Sequence, residues 1–298
     1  MSAYEVHLRD VQAACDRALE VAAEQGDGFD AIVFHAGSLA AYHADDLAVP
    51  FRAHAHFLRF APVAGPGHLV VHRPGERTIL LRAVASGFWY APPARVEDDV
   101  RSWIDLIESD DVAAAFAQLQ GLGRAAVIGE DRVFAQALGF DAACIEPAPL
   151  LAALDWERAF KTDYEIDCIR EAQRIAARGH AALRGLLENR ATEFELHLAY
   201  QAATQQADAE LPYPSIIAWD QAAAVLHYQH RRTQLPHPAR SFLVDAGACY
   251  RGYASDITRT YHLSPASSPT FEALLNAMEA LQLQLADRVR AGVDFVDL

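Results

Sequence analysis

Apolar positions along this chain recur first at helical spacing, then in short unbroken runs, then at helical spacing again. Residues 10–25 carry the helical period and lead into Ala31-Ile-Val-Phe-His35, an apolar run of strand length. His68-Leu-Val-Val-His72 and Thr78-Ile-Leu-Leu-Arg82 read as two further strands, separated by the turn signal Pro74-Gly75. Ala125-Ala-Val-Ile-Gly129 is another short buried strand. This alternation of helix and strand predicts α/β units. Around residues 147–156 it gives way to longer helices, so we place a domain change there, with 1–155 as the first domain and 156–298 as the second.

The second half opens with Thr162-Asp-Tyr-Glu165, a capping-box pattern in which the Thr hydroxyl and the Glu carboxylate satisfy free N–H groups at a helix start. Ile166, Ile169, Ala172, Ala176, Leu183 and Leu187 then keep an amphipathic period to about residue 189. Thr192-Glu-Phe-Glu195 repeats the device for a helix to about residue 207. Strand-like runs follow at 214–218, 222–228, 241–247 and 253–261. Ser268-Pro269 opens a last helix and Gly292 closes it, giving an α+β pattern of antiparallel strands flanked by helices.

Composition narrows the function classes. The 298 residues are 52% hydrophobic and 22% charged, enough apolar material for two globular domains. The net charge of −15, from 25 Lys+Arg against 40 Asp+Glu, repels phosphate backbones, and no basic stripe overrides it; nucleic acid is excluded as a partner. The first residues form neither a basic nor an apolar leader, and no run approaches the roughly 20 apolar residues of a membrane span. We therefore expect a soluble cytoplasmic protein without a membrane partner. Cys15, Cys144, Cys168 and Cys249 are scattered, which suits free thiols in a reducing compartment.

The segment from Phe242 to Tyr261 carries the candidate chemistry. Asp245 and Asp256 sit in two strands joined by a tight turn near Tyr250-Arg251-Gly252. A Tyr250-Arg251 turn sets the aspartates directly opposite; an Arg251-Gly252 turn makes them diagonal neighbours. Either register leaves both carboxylates on one face, because side chains alternate along a strand. Two ionised carboxylates so close on a strand pair rich in Val, Ile and Tyr call for a cation, a shared proton or a basic partner. A hard divalent metal meets that need, and Thr258 falls on the same face, where its hydroxyl can support a ligand. Asp beside turns also caps bends, and spacing alone leaves that reading open.

Four stretches carry a resemblance: Phe160-Lys-Thr-Asp-Tyr-Glu-Ile-Asp-Cys-Ile-Arg-Glu-Ala-Gln173, Ala223-Ala-Val-Leu-His-Tyr228, Ser241-Phe-Leu-Val-Asp-Ala-Gly247 and Gly252-Tyr-Ala-Ser-Asp-Ile-Thr-Arg-Thr260. In these the chain resembles bacterial Xaa-Pro dipeptidases (prolidases) of the creatinase/aminopeptidase pita-bread family. The resemblance implies an α/β creatinase-type N-terminal domain and an α+β pita-bread domain, incomplete at its C-terminus. It implies hydrolysis of dipeptides with a C-terminal proline by a metal-bridged hydroxide, at a site of two Mn2+ ions per full-length subunit. Asp245 and Asp256 would be the first metal ligands, the family completing the set with a His and two Glu further downstream. We expect a longer natural polypeptide for that reason, and an inactive chain without it.

By the same resemblance His227, Leu226 and Tyr213 line the substrate pocket. In family homodimers Asp45 or Asp46, in His43-Ala-Asp-Asp46, and Trp89, in Gly87-Phe-Trp-Tyr90, would approach the partner's site. From their residues alone, His227 reads as a hydrogen-bonded core histidine, Asp45 and Asp46 as a solvated acidic loop, and Trp89 as core packing. His54 and His56 have metal-like spacing, but two histidines make an incomplete site, and we read them as structural. Two alternatives stand beside the dipeptidase: a non-catalytic dimerisation or peptide-binding fragment, and a same-fold hydrolase of another substrate (an Xaa-Pro aminopeptidase, a creatinase or a phosphotriesterase).

Overall fold

The Ser2 side chain accepts the Glu5 N–H and starts α1, Ala3–Glu24, ahead of the point where the helical period becomes visible in the sequence. Polar Glu5 and His7 are buried beside Tyr4 and Leu8 in its first turns, which hides the apolar stripe there. The computed structural model describes residues 2–84, 88, 94–187, 191–235, 239–263 and 268–298. Trp89 lies outside them.

After α1 come β1 (Ala31–His35), α2 (Ala55–Phe60), β2 (Leu69–His72), β3 (Ile79–Ala83), α3 (Asp98–Arg101), β4 (Asp105–Ser109), α4 (Val112–Ala117), β5 (Ala125–Ile128), α5 (Arg132–Ala137) and α6 (Ala148–Ala159). The five strands form one mixed sheet in the order β4-β3-β2-β1-β5. The β1/β2 and β2/β3 pairs are antiparallel; β1/β5 and β3/β4 are parallel. Alternate side chains feed two cores, which is why these strands read as unbroken apolar runs. Ile32, Phe34, Val70, Leu80 and Ile128 pack with Tyr4, Val11, Phe57, Phe60 and Leu150, and Val33, Leu69, Val71 and Leu81 pack with Val112, Phe116 and Ala135. The edge strand β4 was not legible as a strand, because charged Asp105 and Glu108 flank Leu106-Ile107 and none of its side chains is fully buried. Arg77–Asp105 (2.8 Å) and Arg82–Glu108 (2.7 Å) fasten it to its neighbour.

The chain divides into two compact units, Met1–Arg170 with Tyr250–Tyr253, and Glu171–Cys249 with Ala254–Leu298. The domain change expected at 155/156 falls inside α6, whose Leu150 and Leu154 belong to the first core.

Both expected capping boxes are formed. Thr162 N–H donates to Glu165 Oε2 (2.8 Å) and Glu165 N–H to Thr162 Oγ1 (3.3 Å) at the start of α7, Asp163–Leu187. Thr192 and Glu195 do the same for α8, Glu193–Thr204. The second unit adds β6 (Ile216–Trp219), β7 (Ser241–Asp245), β8 (Cys249–Tyr250), β9 (Tyr253–Ala254), β10 (Thr258–His262) and α9 (Pro269–Arg288), with β10-β7-β6 an antiparallel sheet. Leu183, Leu196 and Tyr200 of α7 and α8 pack on one face of that sheet, against Ile217, Trp219, Phe242 and Val244. Ser241, Leu243 and Asp245 alternate with those residues and so belong to the opposite face.

One expected strand is not a strand. Residues 222–228 form the end of a 3-10 turn (Asp220–Ala224) and an irregular run. Val225 and Leu226 are exposed, while Ala222 and Tyr228 at either end are buried, and the apolar residues that suggested a strand have no ladder partner.

Candidate functional site

The hairpin that carries the aspartates is pinned at its turn and along its legs. Arg251 (φ 49°) and Gly252 (φ 86°) both occupy the left-handed region, as a two-residue type I′ turn requires, between β8 and β9. Of the two registers open from the sequence, this selects the diagonal one: Asp245 pairs with Thr258 on β10 and with Ile216 on β6, and Asp256 lies two residues before Thr258. Regular pairing lapses between the legs, where the sequence suggested continuous strands. Three bonds keep the register: Ala246 N–H to the Ile257 carbonyl (3.1 Å), Ser255 N–H to the Ala248 carbonyl (2.9 Å) and Ala248 N–H to Ser255 Oγ (3.0 Å). Gly247 makes the close approach possible. A Cβ there would overlap the Ser255 carbonyl oxygen and come within 2.9 Å of Pro212 Cγ.

Neighbouring elements fix the rest. Asp220, at φ 49°, accepts the Arg240 and Ser241 N–H groups on Oδ1, both at 2.8 Å, and so sets the start of β7. Gln206 clasps both backbone groups of Cys249, at 2.6 and 3.0 Å. On α7, buried His180 has Nε2 3.0 Å from the carbonyl of Ala246, the residue after Asp245, so that nitrogen carries the proton and donates it. Burial holds this imidazole below its ordinary pKa and thus neutral.

Tyr213 joins the two carboxylates. Its hydroxyl oxygen lies 2.7 Å from Asp245 Oδ1 and 2.8 Å from Asp256 Oδ1. Burial, and then the two carboxylates, push its pKa well above the usual phenol range, so it stays protonated. A phenol has one proton to give. With both aspartates ionised, one of the two short oxygen contacts lacks a proton, and the cluster attracts a cation or a further proton. The donors are hard oxygens from half-buried Asp245 and exposed Asp256, which fit two positions of a hard-cation site. Among the described residues no group of three or more His, Cys, Asp or Glu is arranged to hold a metal ion.

The structure thus brings together Tyr213, Asp245 and Asp256, with Thr258 exposed directly opposite Asp245. Leu226, 83% exposed, and His227, also exposed, follow the 3-10 turn; His227 is therefore not the core histidine its apolar neighbours suggested. Asp45 and Asp46 are exposed on loop 41–48 of the first unit, where Asp45 Oδ1 accepts the Leu47 N–H at 3.0 Å. His56 bonds Asp155 at 3.0 Å through Nε2. Sequence reasoning did not single out His180, Gly247 or Glu193. Only Gly247, in Asp-Ala-Gly, had a local signal, a glycine inside a strand pattern.

Comparison with known proteins adds two family matches. Residues 2–156 match the family model described as Xaa-Pro dipeptidase, N-terminal domain, and residues 167–298 match Metallopeptidase family M24. A protein named Xaa-Pro dipeptidase from Xanthomonas campestris pv. campestris is 38% identical over 304 residues, covering 99% of this chain and 65% of the relative. One of the same name from Marinobacter nauticus is 37% identical over 294 residues, covering 98% and 65%. The chain thus spans 65% of the length of these curated relatives. Among solved structures, aminopeptidase P from Escherichia coli with the inhibitor Pro-Leu superposes with a TM-score of 0.62 at 19% identity, over 88% of this chain and 62% of that one. A putative aminopeptidase P from Bacillus anthracis gives 0.61 at 18% identity, over 90% and 69%. At such identities the likeness concerns the fold, an α/β N-terminal domain followed by the mixed α+β domain of the pita-bread class.

Proposed function

This chain belongs to the Xaa-Pro dipeptidase family, and from that premise we propose that it carries part of the centre of a metal-dependent hydrolase acting on dipeptides whose second residue is proline. The convergence of Asp245 and Asp256 on one tyrosine hydroxyl carries the reading. The two aspartates would hold divalent cations, manganese in our reading, as part of a dinuclear set. Bound there, such cations supply Lewis acidity at the scissile carbonyl.

The chain's own residues do the positioning. Pairing with Ile216 and Thr258 fixes the backbone of Asp245, and Thr258 offers a hydroxyl to orient its carboxylate. Tyr213 keeps the carboxylates in register. Exposed Leu226 and His227 are available to contact the dipeptide, and Asp45 or Asp46 and Trp89 would reach a neighbouring subunit of a homodimer. We assign 1–155 to the creatinase-type domain and 156–298 to the pita-bread domain.

A second reading, a peptide-binding module that does not catalyse, uses the same exposed Leu226 and His227 without a metal. Titrating Mn2+ into the chain and into Asp245→Asn, with circular dichroism as a fold control, tests the ligand assignment. The parent should bind and the variant should not; equal binding refutes it. Ala-Pro turnover by a polypeptide of the relatives' full length that carries this chain supports the hydrolase, and Ala-Pro binding by it without turnover supports the module.

A further inference from the structure

Resting on the reading that Leu226 and His227 face the dipeptide, we propose that Glu193 is a positioning residue that holds their segment in place. Residues 225–227 are exposed and outside regular structure, so little in the segment itself fixes where Leu226 and His227 stand. Its anchor is Tyr228, 6% exposed. The Tyr228 hydroxyl donates to Glu193 Oε2 at 2.7 Å, and Arg232 N–H donates to the same oxygen at 2.7 Å. Trp219 N–H, at the end of β6, donates to Oε1 at 3.0 Å. One carboxylate therefore ties both sides of the segment, the strand before it and the residues after it, to the first residue of α8.

The arrangement fits a carboxylate and little else. Glu193 is 0% exposed and its partners are all donors, which two oxygens can accept and a neutral amide cannot. Arg232 supplies the balancing charge, its Nε 3.6 Å from Glu193 Oε1 and 2.7 Å from the Tyr228 hydroxyl, to which it donates. Arg232 also closes the loop through its backbone, since the Phe194 N–H donates to its carbonyl at 3.2 Å. A glutamate serving only to start α8 would need no such partners, because Thr192 and Glu195 already form that cap.

In Glu193→Gln the amide –NH2 must face either the Trp219 N–H or the Arg232 N–H, so a donor meets a donor. Tyr228→Phe is the second variant: it removes the donation to Glu193 and the acceptance from Arg232 Nε but leaves the carboxylate and both backbone N–H donors in place. Hydrogen exchange by mass spectrometry, at a temperature where parent and variants are folded, should show peptides over 220–234 opening about tenfold faster or more in Glu193→Gln. Peptides of α7 and β7 should keep the parent rate. Ala-Pro affinity, measured by calorimetry on the same 298-residue chain, should weaken at least as much, while Mn2+ affinity holds. A purely structural role would lower thermal stability without this split between dipeptide and metal. Unchanged exchange over 220–234 overturns the proposal, as does a loosened segment with undiminished Ala-Pro affinity. A parent chain that binds no Ala-Pro overturns the site reading itself and reduces Glu193 to an anchor, a result visible before any variant is made.

Discussion

Replacing Gly247 by alanine asks whether the aspartates owe their placement to the close approach of the hairpin legs. The added methyl would overlap the Ser255 carbonyl oxygen and sit within 2.9 Å of Pro212 Cγ. Ser255 cannot retreat freely: its N–H donates to the Ala248 carbonyl, its hydroxyl donates to the Ala172 carbonyl at 3.1 Å, and Ser255 Oγ accepts the Ala248 N–H. Gly247 lies outside the left-handed region, so the penalty is steric rather than conformational. Overpacking of about 1–3 kcal/mol with the loss of one hydrogen bond near 1 kcal/mol gives roughly 2–4 kcal/mol. Exchange in peptides over β7 and β10 reads this locally, and 2 kcal/mol corresponds to about thirtyfold faster opening. Gly185→Ala in α7 is the control. A Cβ there meets nothing within 4 Å, and helix propensity alone should stabilise by about 1 kcal/mol. Parent-like exchange in β7 and β10 of Gly247→Ala would refute the argument.

The first unit should lose stability as pH falls from about 6.5 towards 4. Burial pushes His35 and His56 down to about 4, so below 6.5 the unfolded chain binds protons that the folded one does not, and stability rises with pH across that window. For His35 alone the full shift is worth on the order of 3 kcal/mol; denaturation midpoints of the parent and His35→Gln from pH 7 to 4.5 measure it, and identical slopes would count against it. His227→Ala should weaken Ala-Pro binding and leave Mn2+ affinity nearly unchanged, and an equal loss of metal would move His227 onto the cation. Tyr213→Phe should destabilise the second unit by about 1–3 kcal/mol, the range for a hydrogen bond to a charged group and its exposed remainder; an unchanged melting temperature would mean the aspartates need no bridging hydroxyl.

What was legible in the sequence follows from how local each determinant is. Unbroken apolar runs announced β1, β2, β3 and β5 because both sheet faces are covered, and the two Thr-x-x-Glu boxes announced α7 and α8 because a cap is closed within four residues. Strand β4 stayed hidden, since Asp-Leu-Ile-Glu-Ser takes its strand character from pairing with β3 rather than from its own pattern. Residues 222–228 misled in the opposite direction: Ala-Ala-Ala-Val-Leu-His-Tyr has strand-like composition, yet its first residues close a 3-10 turn, with the Val225 N–H on the Ala222 carbonyl, and Tyr228 is held by the distant Glu193 side chain.

The site divides along the same line. Asp245 and Asp256 could be paired from the sequence because alternation and a two-residue turn are local rules, and Arg251-Gly252 with two positive φ angles chose between the registers the rules left open. Tyr213 was assigned to the pocket wall by resemblance, but its bond to both carboxylates is a tertiary fact with no spacing to reveal it. Glu193 is the sharpest case. As the residue after an N-cap it looks like any acidic first-turn residue, placed there for the helix dipole and expected in solvent. Its burial follows from a strand end and a loop, 26 and 35 residues away, that bring three donors to it. A charged residue that satisfies a local rule gives no sequence signal that it also satisfies a distant one, so this part of the site shows itself only in the folded chain.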